Sequence, residues 1–238
     1  MESLYIVIPA YNEEENIESV VDDWYKVVED TECRDSRLVV INDGSKDKTK
    51  EKLDELKKNR PMLEAITKPN GGHGSSVLYG YRYAIKNNAD WIFQTDSDGQ
   101  TNPDEFEAFW KMRESYDAIL GNRQGTRQDG KSRVFVENVL RKILKIVFGV
   151  KVKDANAPFR LMKRELVEKY IGKMPENFNL PNVMLTTYFA YFHENIAFKT
   201  ISFKPRSAGV NSINIKKIIK IGIKAVKDFY YLKKHIND

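Results

Sequence analysis

The 238-residue sequence predicts an α/β fold, a mainly parallel sheet flanked by helices. Short apolar runs rich in β-branched residues alternate with longer stretches whose apolar residues recur at helical spacing, the pattern of a doubly wound sheet. The loops that follow these runs carry Tyr11 to Glu13, Asp43 and the pair Asp96/Asp98, so a parallel arrangement gathers them on one edge, where such sheets place ligands. The composition, 41% hydrophobic and 31% charged, supports a well-filled core.

In chain order, residues 4–9 form an apolar strand closed by Pro9. Asn12 and Glu15 have the spacing of a capping box, and Ile17, Val20, Val21, Trp24 and Val28 share one face of the helix that would follow. Residues 38–41 form a second strand, and Asn42-Asp43-Gly44-Ser45 turns it into a helix carrying Leu53 and Leu56, ended by Pro61. Residues 63–67 read as a weaker strand. A glycine-rich loop, 68–74, then leads into a helix with Leu78, Tyr81 and Ile85 on one face. Trp91-Ile92-Phe93-Gln94-Thr95 is a short buried strand, and Pro103 opens a helix bearing Phe106, Phe109, Trp110 and Arg113.

The strand at Trp91 runs directly into Asp96-Ser97-Asp98-Gly99-Gln100. Two acids this close repel unless a cation lies between them, and hard oxygen ligands suit magnesium or manganese completed by a diphosphate. Alone, such a turn is as readily a solvated loop. An EF-hand spacing runs through Asp96, Asp98, Gln100 and Glu107, but its sixth position, which needs glycine, is Thr101, and a strand precedes it. Gly71-Gly72-His73-Gly74 can serve as a tight turn or as a cradle of backbone amides for a phosphate, and it matches neither the dinucleotide nor the P-loop signature.

Taken together, Ile8-Pro9-Ala10-Tyr11-Asn12-Glu13, Asn42-Asp43-Gly44-Ser45, Asn70 to Gly74 and Asp96-Ser97-Asp98 resemble, in order, the motifs of family 2 glycosyltransferases of GT-A fold. Gly121-Asn122-Arg123 and the stretch from Asp154 to Phe159-Arg160 are similar to the dolichyl- and polyprenyl-phosphate sugar transferase subgroup, with Pro158 where that subgroup has glycine. The resemblance runs from Leu4 to about Asn211. It implies that Pro9, Tyr11, Glu13 and Asp43 hold base and ribose, with Lys68, Gly72 and Asp96 completing the nucleotide site. It implies metal and diphosphate binding by Asp96, Asp98 and Gln100 with Mn2+ or Mg2+. Arg123 and Arg160 would contact phosphates or acceptor, as the planar arginine fork suits phosphate oxygens. Arg133, Asp154 and Arg206 would contribute to the acceptor side.

The net charge of +5 lies in the tail: residues 214–238 hold seven lysines against Asp228 and Asp238. Ile215, Ile218, Ile219, Gly222, Ile223, Val226, Phe229 and Tyr230 form a stripe bordered by Lys216, Lys217, Lys220, Lys224 and Lys227. Such a helix either packs on its own domain or lies on an anionic membrane, and the confined charge favours the membrane. Residues 133–148 show a similar pattern with Val136, Leu140, Ile143, Leu144 and Val147, and there both fates stay open. The expected organisation is a GT-A domain over 1–213, with halves at 1–120 and 121–213, followed by a basic amphipathic tail at 214–238. No run approaches the ~20 apolar residues of a spanning helix, the amino terminus does not read as a signal peptide, and a single cysteine, Cys33, fits a reducing compartment. The expected location is cytoplasmic, peripheral on the inner membrane face, alone or with a membrane partner. The tail lacks aromatic platforms among its lysines and any nucleic-acid motif, which argues against nucleic acid.

The chemistry implied is inverting transfer of a sugar from a nucleotide diphosphate sugar. A hydroxyl acceptor needs a general base, whereas a lipid phosphate is already anionic and needs positioning and cationic clamps. Hydroxyl-transferring relatives carry an acidic pair where this chain has Pro181-Asn182, which favours the phosphate, although Asp154 could serve as a base. The rival readings are a surface- or capsular-saccharide transferase, a nucleotidyltransferase, and a sugar-nucleotide binder without turnover.

Overall fold

The computed structural model describes residues 1–123, 131–204 and 215–236, with only the backbone of 131–135 and 215–223. Strands β1 (Leu4–Ala10), β2 (Arg37–Asn42), β3 (Leu63–Thr67), β4 (Trp91–Thr95), β5 (Ala118–Asn122), β6 (Phe159–Lys163) and β7 (Ile196–Thr200) form one seven-stranded sheet in the order β3-β2-β1-β4-β6-β5-β7. Helices α1 (Ile17–Glu29), α2 (Thr49–Lys57), α3 (His73–Lys86), α4 (Phe106–Met112), α5 (Lys131–Phe148), α6 (Arg164–Ile171), α7 (Pro181–Tyr191) and α8 (Ile215–Lys234) pack around it. The first four strands pair in parallel, as their alternation with helices predicts. Strand β6 runs antiparallel between β4 and β5, and β5 pairs in parallel with β7. Its reversed direction matters for the site. The start of β6, Phe159, lies opposite Thr95 at the end of β4, so the segment before β6 reaches the same edge as the loops after β1, β2 and β4.

Successive strand residues point to opposite faces, and each face has its own core. Leu4, Ile6, Ile8, Leu38, Val40, Trp91 and Phe93 pack with Ile17, Val21, Trp24, Leu53, Phe106 and Phe109 of α1, α2 and α4. Phe93 sits among aromatic rings there, 4.7 Å from Phe159 and 5.0 Å from Phe106 between centroids. Tyr5, Val7, Val39, Ile41 and Ile92 pack on the other face with α3, α5, α6, α7 and α8. Helix α3 lies so close to β1 that a Cβ at Gly80 would meet Val7 Cγ1 at 2.2 Å.

Two expectations change. The capping box at Asn12 and Glu15 does not form: Asn12 has φ +55 and its Oδ1 accepts the Lys46 amide at 2.9 Å, so α1 starts only at Ile17. The asparagine is used to join two loops instead of opening a helix. The tail helix is also different where its side chains are described. Ala225, Phe229, Leu232 and Ile236 are buried in the core that includes Phe148, while Tyr230 is 57% exposed. The Phe229 and Phe148 rings meet edge to face, 6.3 Å apart. The second half of α8 therefore takes the core-packing fate, along a face rotated from the expected stripe. The side chains of 215–223 lie outside the described residues.

Candidate active site

The central feature is the carboxyl end of β4. Strand pairing buries Trp91 to Thr95 completely, and the chain then turns through Gly99, whose φ is +69. The Asp96 side chain is 27% exposed at this edge. Its Oδ1 accepts Gln94 Nε2 at 3.0 Å and faces His73 Nε2 at 3.8 Å. Asp98 Oδ1 accepts the Gln100 amide at 3.2 Å, which shapes the turn. Both acids therefore stand at the rim of the sheet with oxygen atoms only to offer. That donor set suits a hard divalent cation whose remaining ligands come from a diphosphate. Among the described residues no cluster of three or more acidic, histidine or cysteine side chains surrounds them.

Gln100 stands behind this rim. It is 4% exposed, its Nε2 donates to the Lys204 carbonyl at 2.8 Å, and the Lys204 amide donates to its carbonyl at 2.9 Å. It ties the acidic turn to the segment after β7 through its nitrogen and its backbone carbonyl.

On the other side, Asp43 follows β2. Its carboxylate accepts the Gly71 and Gly72 amides at 2.9 and 2.8 Å and the Lys68 ammonium in a short contact, and it is 3% exposed. Asn70 Nδ2 donates to the Asp43 carbonyl. Gly72 has φ +87, a region that glycine enters at no steric cost, and no atom lies within 4 Å of where its Cβ would be. The glycine loop is thus pulled onto β2 and opens α3 next to Asp96. Tyr11 is 42% exposed just after β1, Pro9 is buried in β1, and Glu13 accepts Asn16 Nδ2 at 2.9 Å.

Both arginines are buried. Arg123 forms a two-pronged bond to Asp154, with Nε at 2.8 Å from Oδ2 and Nη2 at 3.0 Å from Oδ1, and both residues are buried. Burial alone would lower the Arg123 pKa, but the Asp154 carboxylate outweighs it and holds the guanidinium above its ordinary value. Both Asp154 oxygens take part in this pair. Arg160 is fully buried, donating to the carbonyls of Ala155, Ala157 and Asn182. Burial pushes its pKa down, partly offset by Tyr81 and Asp154. The fork holds the 154–159 segment and the start of α7 together. Arg206 and the side chain of Arg133 lie outside the described residues.

Sequence reasoning missed the polar residues under the edge. Asn182 Nδ2 donates to Gln94 Oε1 at 2.7 Å, and Tyr81 Oη donates to Asn182 Oδ1 at 2.8 Å. The signal was present in Gln94, the one amide in an otherwise apolar run leading into the acids.

A three-layer sheet of this order, with paired acids ending its central parallel strand, is the GT-A architecture of glycosyltransferases. The profile of glycosyl transferase family 2 matches residues 5–171, and the chain belongs to that family. A glycosyltransferase of Synechocystis sp., itself uncharacterized, is 28% identical over 96% of this chain and 70% of its own length. A dolichyl-phosphate beta-glucosyltransferase of Trichomonas vaginalis is 29% identical over 68% of this chain and 53% of its own length. An undecaprenyl-phosphate 4-deoxy-4-formamido-L-arabinose transferase of Photorhabdus laumondii is 26% identical over 68% of this chain and 50% of its own. The chain spans about half the length of these two lipid-phosphate relatives. In fold it resembles glucosyl-3-phosphoglycerate synthase from Mycobacterium tuberculosis in complex with Mn2+, UDP and phosphoglyceric acid. The TM-score is 0.69 at 16% identity, over 98% of this chain and 78% of that one. Among the described residues no helix is long and apolar enough to cross a membrane.

Proposed function

We propose that this glycosyltransferase moves a sugar, with inversion, from a nucleotide diphosphate sugar to a polyprenyl phosphate at the face of a membrane. The observation that carries the reading is the convergence of Asp96 and Asp98 with the Asp43-anchored glycine loop on one edge of the sheet. The β1 and β2 loops would take the nucleoside, and the amides opening α3 would face the diphosphate. A divalent cation held by Asp96 and Asp98 would supply neutralisation of the charge developing on the leaving diphosphate.

The acceptor side favours a phosphate. The start of α7 presents Pro181 and the buried Asn182, neither able to remove a proton from a hydroxyl, and Asp154 is held by Arg123. An acceptor already anionic needs no base there, and the similarity to lipid-phosphate transferases points the same way.

The test is incubation with a panel of nucleotide sugars, polyprenyl phosphate and manganese, followed by lipid extraction. One sugar should appear in the lipid phase, and Asp98→Ala should abolish the transfer with the thermal melt unchanged. Labelled saccharide in the water phase, or wild-type turnover without divalent metal, would overturn the acceptor or the metal respectively.

A further inference from the structure

Beneath Asp96 runs a line of buried polar side chains drawn from three separate elements. Tyr81 of α3 donates to Asn182 Oδ1 at 2.8 Å, Asn182 of α7 donates to Gln94 Oε1 at 2.7 Å, and Gln94 of β4 donates to Asp96 Oδ1 at 3.0 Å. Tyr81 and Gln94 are fully buried, and Asn182 is 3% exposed.

The direction of every link follows from the last one. An ionised carboxylate can only accept, so Gln94 turns its nitrogen to Asp96 and its oxygen to Asn182. Asn182 must then offer its nitrogen to Gln94, which leaves its oxygen for the Tyr81 hydroxyl. Burial pushes the Tyr81 pKa well above its ordinary value, so the hydroxyl keeps the proton it donates. The backbone that carries the middle of the line is anchored, because Arg160 Nη1 and Thr186 Oγ1 both donate to the Asn182 main-chain carbonyl, at 3.0 and 2.9 Å. A chain of donors aligned in one direction in a buried, low-dielectric interior polarises each bond toward its end. That end is the carboxylate at the rim.

We propose that Tyr81, Asn182 and Gln94 are positioning residues that fix the rotamer and polarity of Asp96, engaging Oδ1 and leaving its second oxygen for the cation. This rests on the reading of Asp96 as a ligand for metal and diphosphate. It also explains why β4 carries an amide at a fully buried position where an apolar residue would otherwise serve.

The experiment is Mn2+ titration of the full chain in the presence of UDP, read by electron paramagnetic resonance, beside UDP affinity without metal and a thermal melt. Asn182→Asp keeps the shape but can no longer donate when ionised, so Gln94 must reverse its amide and present oxygen to Asp96. Gln94→Met keeps most of the volume and removes the bond. Each should raise the Mn2+ Kd about tenfold, the scale of one lost bond to a charged group, while UDP affinity without metal stays within about twofold. Thr187→Val serves as control: Thr187 is buried on the same helix and bonds only Val183 in the described contacts, so its loss should leave Mn2+ affinity unchanged. If Asn182→Asp fails to fold, Gln94→Met decides. Wild-type Mn2+ affinity in folded variants would overturn the positioning role alone. Wild-type protein that binds UDP but no Mn2+ would overturn the metal reading and this inference together.

Discussion

At the scale of single residues, Asp43 illustrates how a motif acid can act at one remove. The resemblance implies contact with base or ribose, yet its carboxylate already accepts Lys68 and the amides of Gly71 and Gly72. Its influence on a nucleotide would therefore run through the loop it holds. Each bond of a carboxylate to such donors is typically worth ~1.5–3 kcal/mol. Asp43→Ala should accordingly weaken binding of the donor nucleotide by about tenfold and lower the melting temperature in the same variant. Calorimetry beside a melt checks this. Loss of affinity with an unchanged melt would return Asp43 to direct contact. Arg160 makes the same point from the other side, since the fork that suits phosphate oxygens suits converging backbone carbonyls equally well.

Among the elements, β6 and α8 decide most. The antiparallel course of β6 brings the buried Arg123–Asp154 pair and the Arg160 anchor to the edge that carries Asp96. Helix α8 closes the second core through Phe229, which is fully buried against Phe148. Truncating such a side chain to alanine costs roughly 3–5 kcal/mol where the cavity cannot collapse. Phe229→Ala should thus lower urea stability by about that amount, or release α8 to limited proteolysis at unchanged global stability. A variant as stable and as protease-resistant as wild type would show that α8 does not need its docking face.

For the whole molecule, docking and charge can be separated on one helix. Residues 214–238 carry a local excess equal to the net charge of +5, and Lys224, Lys227 and Lys234 are exposed. Peripheral membrane association, part of the proposed function, would draw on those lysines, each worth ~1 kcal/mol near an anionic surface. Replacing the three with glutamine should weaken sedimentation with anionic liposomes by up to about a hundredfold and leave the melt unchanged. Binding of the intact protein should fall steeply with salt, because the screening length is only about 8 Å at physiological ionic strength. Binding indifferent to salt and to the three substitutions would remove the lysines from the interface.

The first four strands, their order of appearance and the loops that bear the acids were legible from the sequence, whereas β5, β6 and β7 were not. Period-2 and period-3.6 patterning is a local property, and every stretch from Leu4 to Met112 displays it. The Asp96/Asp98 turn was legible for the same reason: an apolar run broken by acids and glycine has few local alternatives. What only the tertiary structure decided were the partners of polar side chains. Asn12 has the spacing of a cap, but Lys46, 34 residues away, claims its oxygen. Arg160 and Gln100 carry the chemistry of ligands, and it is the segment before β6 and the segment after β7 that supply the carbonyls for their buried donors. The tail stripe was equally apolar on paper whichever surface it met. The Phe148 ring and the rest of the second core settled which face of α8 from Lys224 onward turned inward, because burial depends on the neighbour across the interface and not on the helix alone.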